Sequence, residues 1–470
     1  MSEEEREHSD YSDDENEEVP IQAYSRRWVV LSIAAFAIAL RGYNQSCYGP
    51  INNAYTEYFK VEPWQVDWLV VIQSVIFLTV ALPMTLLITR LGYRLSVILI
   101  TTTLTLGFTL TTAAVSWRGG FGMMLSGQAV MGFSNIVSWS IPPATAAIWF
   151  PRNEVATAVA IQVVGRGVGE AIGSFLPTYI ISEKPDMSNT QVSLVTMFGI
   201  LSGLAFFLAL FAMFFVKNSP PTPPSEAQAK LIRVNDFKQK REESSLRSTW
   251  DTFASVVQSL FRDKIFIAVW FVFGAVNPIL RNNNVLLTSM LHHRFNSKTK
   301  INAQAGIVLL VAWCMYTVGG FIAGPLITKT KRYKTMVFLS VFLLLLSCVV
   351  ILVGVKVKNL DVIYAGVMTQ GLFIGMANTS LFELLAEVTY PHPPMFVTMI
   401  SIVILGMFRL IYPLVGRFIL KQFGATWSTA FPTILTAICT LVIALLKPEY
   451  KRESTNQAME YKTLIKKDLR

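Results

Sequence analysis

The chain has 470 residues, 53% hydrophobic, 12% aromatic and only 15% charged, with a formal charge of +10 and a mean hydropathy of +0.47. Soluble chains carry roughly a quarter charged residues, so this balance excludes an ordinary cytosolic enzyme. The four cysteines (Cys47, Cys314, Cys348, Cys439) show no CxxC or Cys/His spacing, which argues against a disulfide framework or a zinc site.

Residues 1–25 form an acidic tail, with 10 of the 30 Asp and Glu lying between Glu3 and Glu18. It reads as disordered and cytoplasmic, and it is too acidic for a signal-peptide n-region, so the first apolar run is expected to be retained. Apolar runs then follow at 28–47, 69–89, 95–115, 121–147, 156–181 and 195–216. Residues 217–264 are a polar, basic cytoplasmic linker that opens with Ser219-Pro220-Pro221-Thr222-Pro223-Pro224. Six more runs lie at 265–291, 305–328, 336–353, 362–385, 395–420 and 427–446, and residues 447–470 form a second cytoplasmic tail. Each run is long enough to cross a hydrocarbon core of about 30 Å as a helix, in which the backbone satisfies its own hydrogen bonds. The expected fold class is an all-α membrane protein with twelve transmembrane helices, in a half at 26–216 and a half at 265–446. With both termini inside, inner loops and tails hold 26 of the 40 Lys and Arg and outer loops hold 9, which sets the orientation. The net positive charge therefore describes topology and does not imply a nucleic-acid partner.

The halves repeat each other at an offset of about 240 residues. Leu87-Ile88-Thr89-Arg90 before Tyr93-Arg94 matches Leu326-Ile327-Thr328-Lys329 before Tyr333-Lys334, and Trp149-Phe150-Pro151 matches Thr389-Tyr390-Pro391. Such a duplication resembles the architecture of the major facilitator superfamily, whose solute site lies near the bilayer midplane between pseudo-symmetric six-helix halves. Arg90, Arg94, Lys329 and Lys334 then mark two equivalent turns, read either as topology determinants or as parts of a gate.

A few charges lie inside the spans, where each costs about 2.5 to 3.5 kcal/mol at the bilayer centre and therefore faces a protein interior or cavity. They include Arg41, Arg166, Glu170, Arg281, Glu383 and Arg409. Counting from the cytoplasmic entry points, Arg166 lies roughly 15 Å deep, Arg41 and Arg409 roughly 20 Å and Arg281 further still. Guanidinium groups present a permanently charged fork of donors suited to carboxylate or phosphate, so Arg41, Arg166, Arg281 and Arg409 are candidate solute ligands, with Gln45 and Asn277 adding neutral hydrogen bonds. Arg281 follows Asn277-Pro278, a helix break expected where backbone lines a cavity. Arg166 and Glu170 are four residues apart and can neutralise each other; Glu170 and Glu383 are alternatively coupling or gating acids. Gln162 and Gln370 are read as packing amides, and Gly165, Gly167, Gly169 and Gly173 as a close-packing face, since no strand precedes them to make a nucleotide loop.

The sequence further resembles the feline leukaemia virus subgroup C receptor-related transporters. The residues that carry the resemblance are Arg26-Arg27-Trp28-Val29, Tyr48-Gly49-Pro50-Ile51-Asn52-Asn53, Asp67-Trp68-Leu69, Ala171-Ile172-Gly173 with Leu176-Pro177, and Phe382-Glu383-Leu384 continuing through Glu387-Val388-Thr389-Tyr390-Pro391. The resemblance implies a transporter of heme or of choline and ethanolamine, the latter held in an aromatic box. Aligned with that box, its span-one Trp falls at Gln45, its span-seven Tyr at Arg281 and its two glutamines near Gly167 and Val403. Arg281 would repel a cation.

The reading favoured by charge is a carrier that moves an organic anion or acid-bearing amphiphile such as heme by alternating access. Its alternatives are a choline/ethanolamine transporter and a solute receptor that does not transport. No enzyme motif is present, no cofactor or metal is expected, and His292-His293 reads as a solvated loop. The expected partners are a small solute and the lipid bilayer, the expected state is a monomer, and the plasma membrane is favoured over a lysosome or endosome despite the sorting-like Tyr461-Lys462-Thr463-Leu464. Asn44-Gln45-Ser46 is a formal glycosylation sequon too close to the membrane for use.

Overall fold

A computed structural model of the chain describes residues 22, 24–117, 120–151, 154–181, 187–222, 224, 254–295, 301–390, 392, 394–448 and 450. The acidic tail, most of the linker, the carboxy-terminal tail with its sorting-like motif, and the Arg90 side chain lie outside the described residues. Within them are thirteen α-helices: α1 (Arg26–Ser46), α2 (Asn52–Phe59), α3 (Pro63–Ser116), α4 (Phe121–Trp149), α5 (Val155–Ile180), α6 (Met187–Phe215), α7 (Lys264–Val276), α8 (Ile279–Phe295), α9 (Ile301–Thr330), α10 (Tyr333–Val357), α11 (Leu360–Thr389), α12 (Pro394–Phe423) and α13 (Ala425–Leu445). A 3-10 turn, Gly49–Ile51, joins α1 to α2.

Ten segments among the described residues are long and apolar enough to cross a membrane. Two of them, Pro63–Val80 and Leu91–Ser116, belong to the single long helix α3, which breaks at Gly92. There φ is +77°, a conformation natural to a residue without a Cβ. Helices α1 and α4 have 21 and 29 residues but fall outside the ten. The cause is visible in their composition, since α1 carries Arg41, Asn44, Gln45 and Ser46, and α4 carries Gln128, Asn135 and four serines. These polar groups are turned inward: Arg41, Asn44, Gln128 and Asn135 are all buried, whereas Phe206, Phe207, Phe211 and Phe214 of α6 and Phe342, Leu346 and Val353 of α10 are exposed on the outside. A soluble domain would show the reverse distribution.

The break between α7 and α8 has a local cause. Asp263 caps α7 by accepting from the Ile265 and Phe266 N–H groups, at 2.8 and 3.4 Å. Fifteen residues later Pro278 supplies no N–H and interrupts the ladder. The neighbouring Ala275 carbonyl accepts from the Tyr412 hydroxyl of α12 at 2.7 Å, so the break is also held from across the bundle.

One end of the bundle gathers the start of α1 and the ends of α6 and α13. Arg26 donates to the Phe215 carbonyl at 2.8 Å, Arg94 to the Met213 carbonyl at 3.0 Å and Lys334 to the Ala444 carbonyl at 3.0 Å. Arg94 and Lys334 thus serve equivalent purposes on the last turns of α6 and α13, where carbonyls lack intrahelical donors and a cation is favoured. At the opposite, capped end, α2 lies across the helix tips. Tyr58 donates to the Val115 carbonyl at 2.5 Å, and Asn302 of α9 donates to Asn53 at 3.0 Å. In the body of the bundle the closest packing joins α1 to α5, α3 to α4 and α6, α9 to α11, and α10 to α11 and α13, while α5 against α9 and α3 against α12 link early helices to late ones. The glycines of α5 permit the first of these contacts: a Cβ at Gly169 or Gly173 would collide with the α1 backbone at Ala39 or Tyr43.

Candidate functional site

The in-span arginines converge. Arg41 lies within electrostatic reach of Arg281, Arg166, Arg409 and Glu170, and Arg409 within reach of Arg281, Glu170 and Arg166. The helices deliver them from four directions, α1, α5, α8 and α12.

Arg41 is 1% exposed and enters the cluster from the polar last turns of α1. Its Nη2 donates to Gln73 Oε1 at 2.8 Å, and Gln73 Nε2 donates to Gln128 Oε1 at 2.7 Å. Gln128 also accepts from Asn44 at 3.1 Å and donates to the Tyr48 hydroxyl at 2.6 Å, and that hydroxyl donates to Asn44 Oδ1 at 2.9 Å. This network fixes one edge of the guanidinium and leaves Nε and Nη1 without an acceptor among the described residues. It also engages both ends of the buried Asn44 amide.

Arg166 on α5 donates through Nη2 to the Ser138 carbonyl at 3.1 Å and hydroxyl at 3.3 Å, and lies 4.3 Å over the Trp139 ring. Arg409 lies over the same ring at 5.5 Å, with its Nε unpartnered among the described residues. Arg281 on α8 lies 5.7 Å from the centroid of Trp313 and pairs with Glu170, with its Nη1 unpartnered among the described residues. Helical spacing allows Glu170 to neutralise Arg166, and the two are electrostatically coupled, but the hydrogen-bonded partner of Glu170 is Arg281, 111 residues away. The reason is direction: Arg166 reaches α4, whereas Glu170, 2% exposed, faces α8.

The remaining expected residues take other places. Gln45 is buried beside Asn44 on α1. Asn277 donates back to the Phe273 carbonyl of its own helix at 2.8 Å. Glu383 is half-buried on α11, next to Phe382, which packs edge-on against Phe273. Lys329 is exposed. Gln162 donates to the Ala158 carbonyl at 3.1 Å as a packing amide, and Gln370 accepts from Asn283. His292 bonds to Asn302 at 2.9 Å, and no cluster suited to a metal is present among the described residues.

Several participants carry no distinct sequence signal. Gln73 and Gln128 are amides in the middle of apolar runs, which is a weak signal, and nothing in the sequence ties Trp139 or Trp313 to the arginines. A second ion pair was also unexpected. Arg417 of α12 grips Asp67 at the start of α3 with two bonds of 2.5 and 2.7 Å, and Asn52 donates to the same carboxylate at 3.1 Å. Arg417 also lines a cleft of about 350 Å³ at the capped end, together with Asn53, Trp64, Thr288, His292 and Lys421. Close by, Asn284 donates to the Ser46 hydroxyl at 2.7 Å and accepts from Ser174 at 3.0 Å.

In chemical terms the centre holds four guanidiniums and one carboxylate. Among the described residues, its unpartnered donors are Arg41 Nε and Nη1, Arg281 Nη1, Arg409 Nε and the indole N–H groups of Trp139 and Trp313. Buried donors without acceptors are costly, so the arrangement is one that an acceptor-rich, negatively charged molecule would complete.

Comparison with known proteins agrees with this architecture. The chain is 26% identical to the zebrafish choline/ethanolamine transporter flvcr2a over 92% of this chain and 89% of the relative. It is 22% identical to the human choline/ethanolamine transporter FLVCR2, over 93% of this chain and 80% of that one. A D-xylose–proton symporter shares the fold with a TM-score of 0.68, at 11% identity over 91% of this chain and 99% of that structure. The Major Facilitator Superfamily model matches residues 34–404 and 303–468. The chain belongs to the Major Facilitator Superfamily and is a membrane transporter related to the feline leukaemia virus subgroup C receptor family.

Proposed function

We propose that the protein carries an acid-bearing organic solute across the membrane by alternating access, with Arg41, Arg166, Arg281 and Arg409 as its ligands. The observation that carries this reading is the excess of guanidinium over carboxylate in a buried centre. An uncompensated buried charge costs several kcal/mol, and a family built around solute sites between two halves gives that cost a purpose. In the proposed topology α1 to α6 supply six spans and α7 to α13 the other six, α7 and α8 together forming one. Both termini face the cytoplasm, and the protein acts as a monomer, in the plasma membrane in preference to endosomes or lysosomes. Heme, an amphiphile with two propionates, falls within the solute class. The bonds at the capped end, Asp67 to Arg417 and Asn53 to Asn302, support a closed outer gate.

The names of the relatives favour a second reading, choline or ethanolamine. A quaternary ammonium is recognised by open aromatic faces. Here the Trp139 ring already receives Arg166 and Arg409, and the Trp313 ring receives Arg281, so positive charge stands where the choline headgroup would have to bind. Uptake of labelled organic acids, heme and choline into proteoliposomes separates the two. Saturable acid uptake that choline does not inhibit is expected; saturable choline uptake indifferent to every acid would overturn the proposal.

A further inference from the structure

We propose that Glu170 holds, on Arg281, the place of one acidic group of a solute that carries two, and that this solute enters by displacing it. The inference rests on reading the arginine cluster as an acid site, and it adds the number of charges and the order of events.

Donor arithmetic gives the number. Six nitrogen atoms around the centre lack an acceptor among the described residues: two on Arg41, one each on Arg281 and Arg409, and the indoles of Trp139 and Trp313. Displacing Glu170 frees the nitrogen by which Arg281 now holds it. A single carboxylate offers about four lone-pair sites, too few for this set, whereas two acidic groups offer about eight. The charges agree, because four guanidiniums less one carboxylate leave three positive charges, more than a monoanion offsets.

The order follows from where Glu170 can go. Buried as it is, it cannot be left without a partner. Arg166 lies four residues earlier on the same face of α5 and donates through Nη2 to neutral Ser138 atoms at 3.1 and 3.3 Å. Glu170 can therefore exchange one guanidinium for another as the solute takes Arg281, and every carboxylate stays paired throughout. The exchange also has a mechanical result. The Glu170–Arg281 bond ties α5 to α8, so a solute that replaces Glu170 removes that tie and leaves Ser174–Asn284 as the neighbouring link. Solute binding and the loss of that tie become the same event.

The test uses the purified full chain and two matched pairs of probes, butyrate with succinate and benzoate with phthalate, with choline as the cationic control. Binding is followed by calorimetry and by inhibition of labelled acid uptake. The dianion of each pair is expected to bind about tenfold more tightly or better, the gain from further charge-assisted hydrogen bonds. Equal or weaker binding by the dianions overturns this inference and leaves the acid-carrier reading intact; no binding by any acid overturns that reading itself. Displacement is tested separately by Glu170→Gln, which frees Arg281 in advance. Both dianions should then bind about tenfold more tightly, and unchanged affinity in a variant of normal thermal stability would sink the displacement step. The probe series on the unaltered protein stands whether or not that variant folds.

Discussion

Two buried ion pairs join early helices to late ones, and they differ in stoichiometry. At the capped end one carboxylate, Asp67, meets one guanidinium, Arg417, through two bonds, with Asn52 supplying a third. At the centre one carboxylate, Glu170, faces four guanidiniums, and several of their donors remain without acceptors among the described residues. The first arrangement is complete and needs nothing further. The second is incomplete, and an incomplete buried polar cluster is destabilising unless something else fills it. On the proposed reading, balance marks a lock and imbalance a place for a ligand.

The strongest way to break this comparison is Arg281→Ala. It removes a solute ligand and turns Glu170 to Arg166, so acid uptake should fall by about a hundredfold or more while stability falls by about 1.5 to 3 kcal/mol, the worth of the lost charge-assisted hydrogen bond. Adding Glu170→Gln should restore thermal stability in detergent but not uptake; if uptake returned as well, Arg281 would be a structural residue. Asp67→Asn should have the next largest effect, lowering stability by up to about 3 kcal/mol by stranding Arg417. Joined with Arg417→Gln it should recover most of that loss, with affinity for the acid nearly unchanged in equilibrium binding. A large loss of affinity in the double variant would mean that the capped-end pair belongs to the site. Arg41→Gln keeps a hydrogen-bonding group for Gln73 but discards the charge, so the KM for acid uptake should rise about tenfold while the melting temperature holds or increases. The smallest effects are expected for Arg94→Gln and Lys334→Gln, each costing about 0.3 to 1 kcal/mol at a helix end. Uptake should be unaltered in both, and unequal effects would argue against equivalent turns.

The four central arginines were legible because lipid offers a charge no partner, so a guanidinium deep in an apolar run has to find protein or solute. Depth along each span placed them at or just outside the midplane, at roughly 15 to 20 Å or more from the cytoplasmic ends. The break at Asn277-Pro278 was legible for a similar reason, since proline removes a donor wherever the chain goes. The partner of Glu170 was not, because spacing along one helix ranks Arg166 first and says nothing of a helix 111 residues away. The Asp67–Arg417 pair was hidden for the same reason, its members standing 350 positions apart. Asp67 lies just ahead of an apolar run and Arg417 near the end of another, and charges at such borders ordinarily reach water. Trp139 and Trp313 were unreadable as site residues because tryptophan is common in any apolar helix, and only the tertiary placement of the guanidiniums over their rings distinguishes them.

The polar character of α8 bears on how the protein is made. Its Arg281, Asn282 and Asn284 are all buried, and the span formed with α7 has the largest buried share of the ten. A segment so dependent on neighbours is a poor passenger on its own at the insertion machinery, where each central charge raises the cost of leaving the channel. Its bonds reach back to Ser46 and Glu170, made long before it in synthesis. On the proposed topology, α1 to α6 already stand in the bilayer when α8 arrives and form the template on which it settles. The two parts expressed as separate chains should each be degraded when alone and recovered when made together.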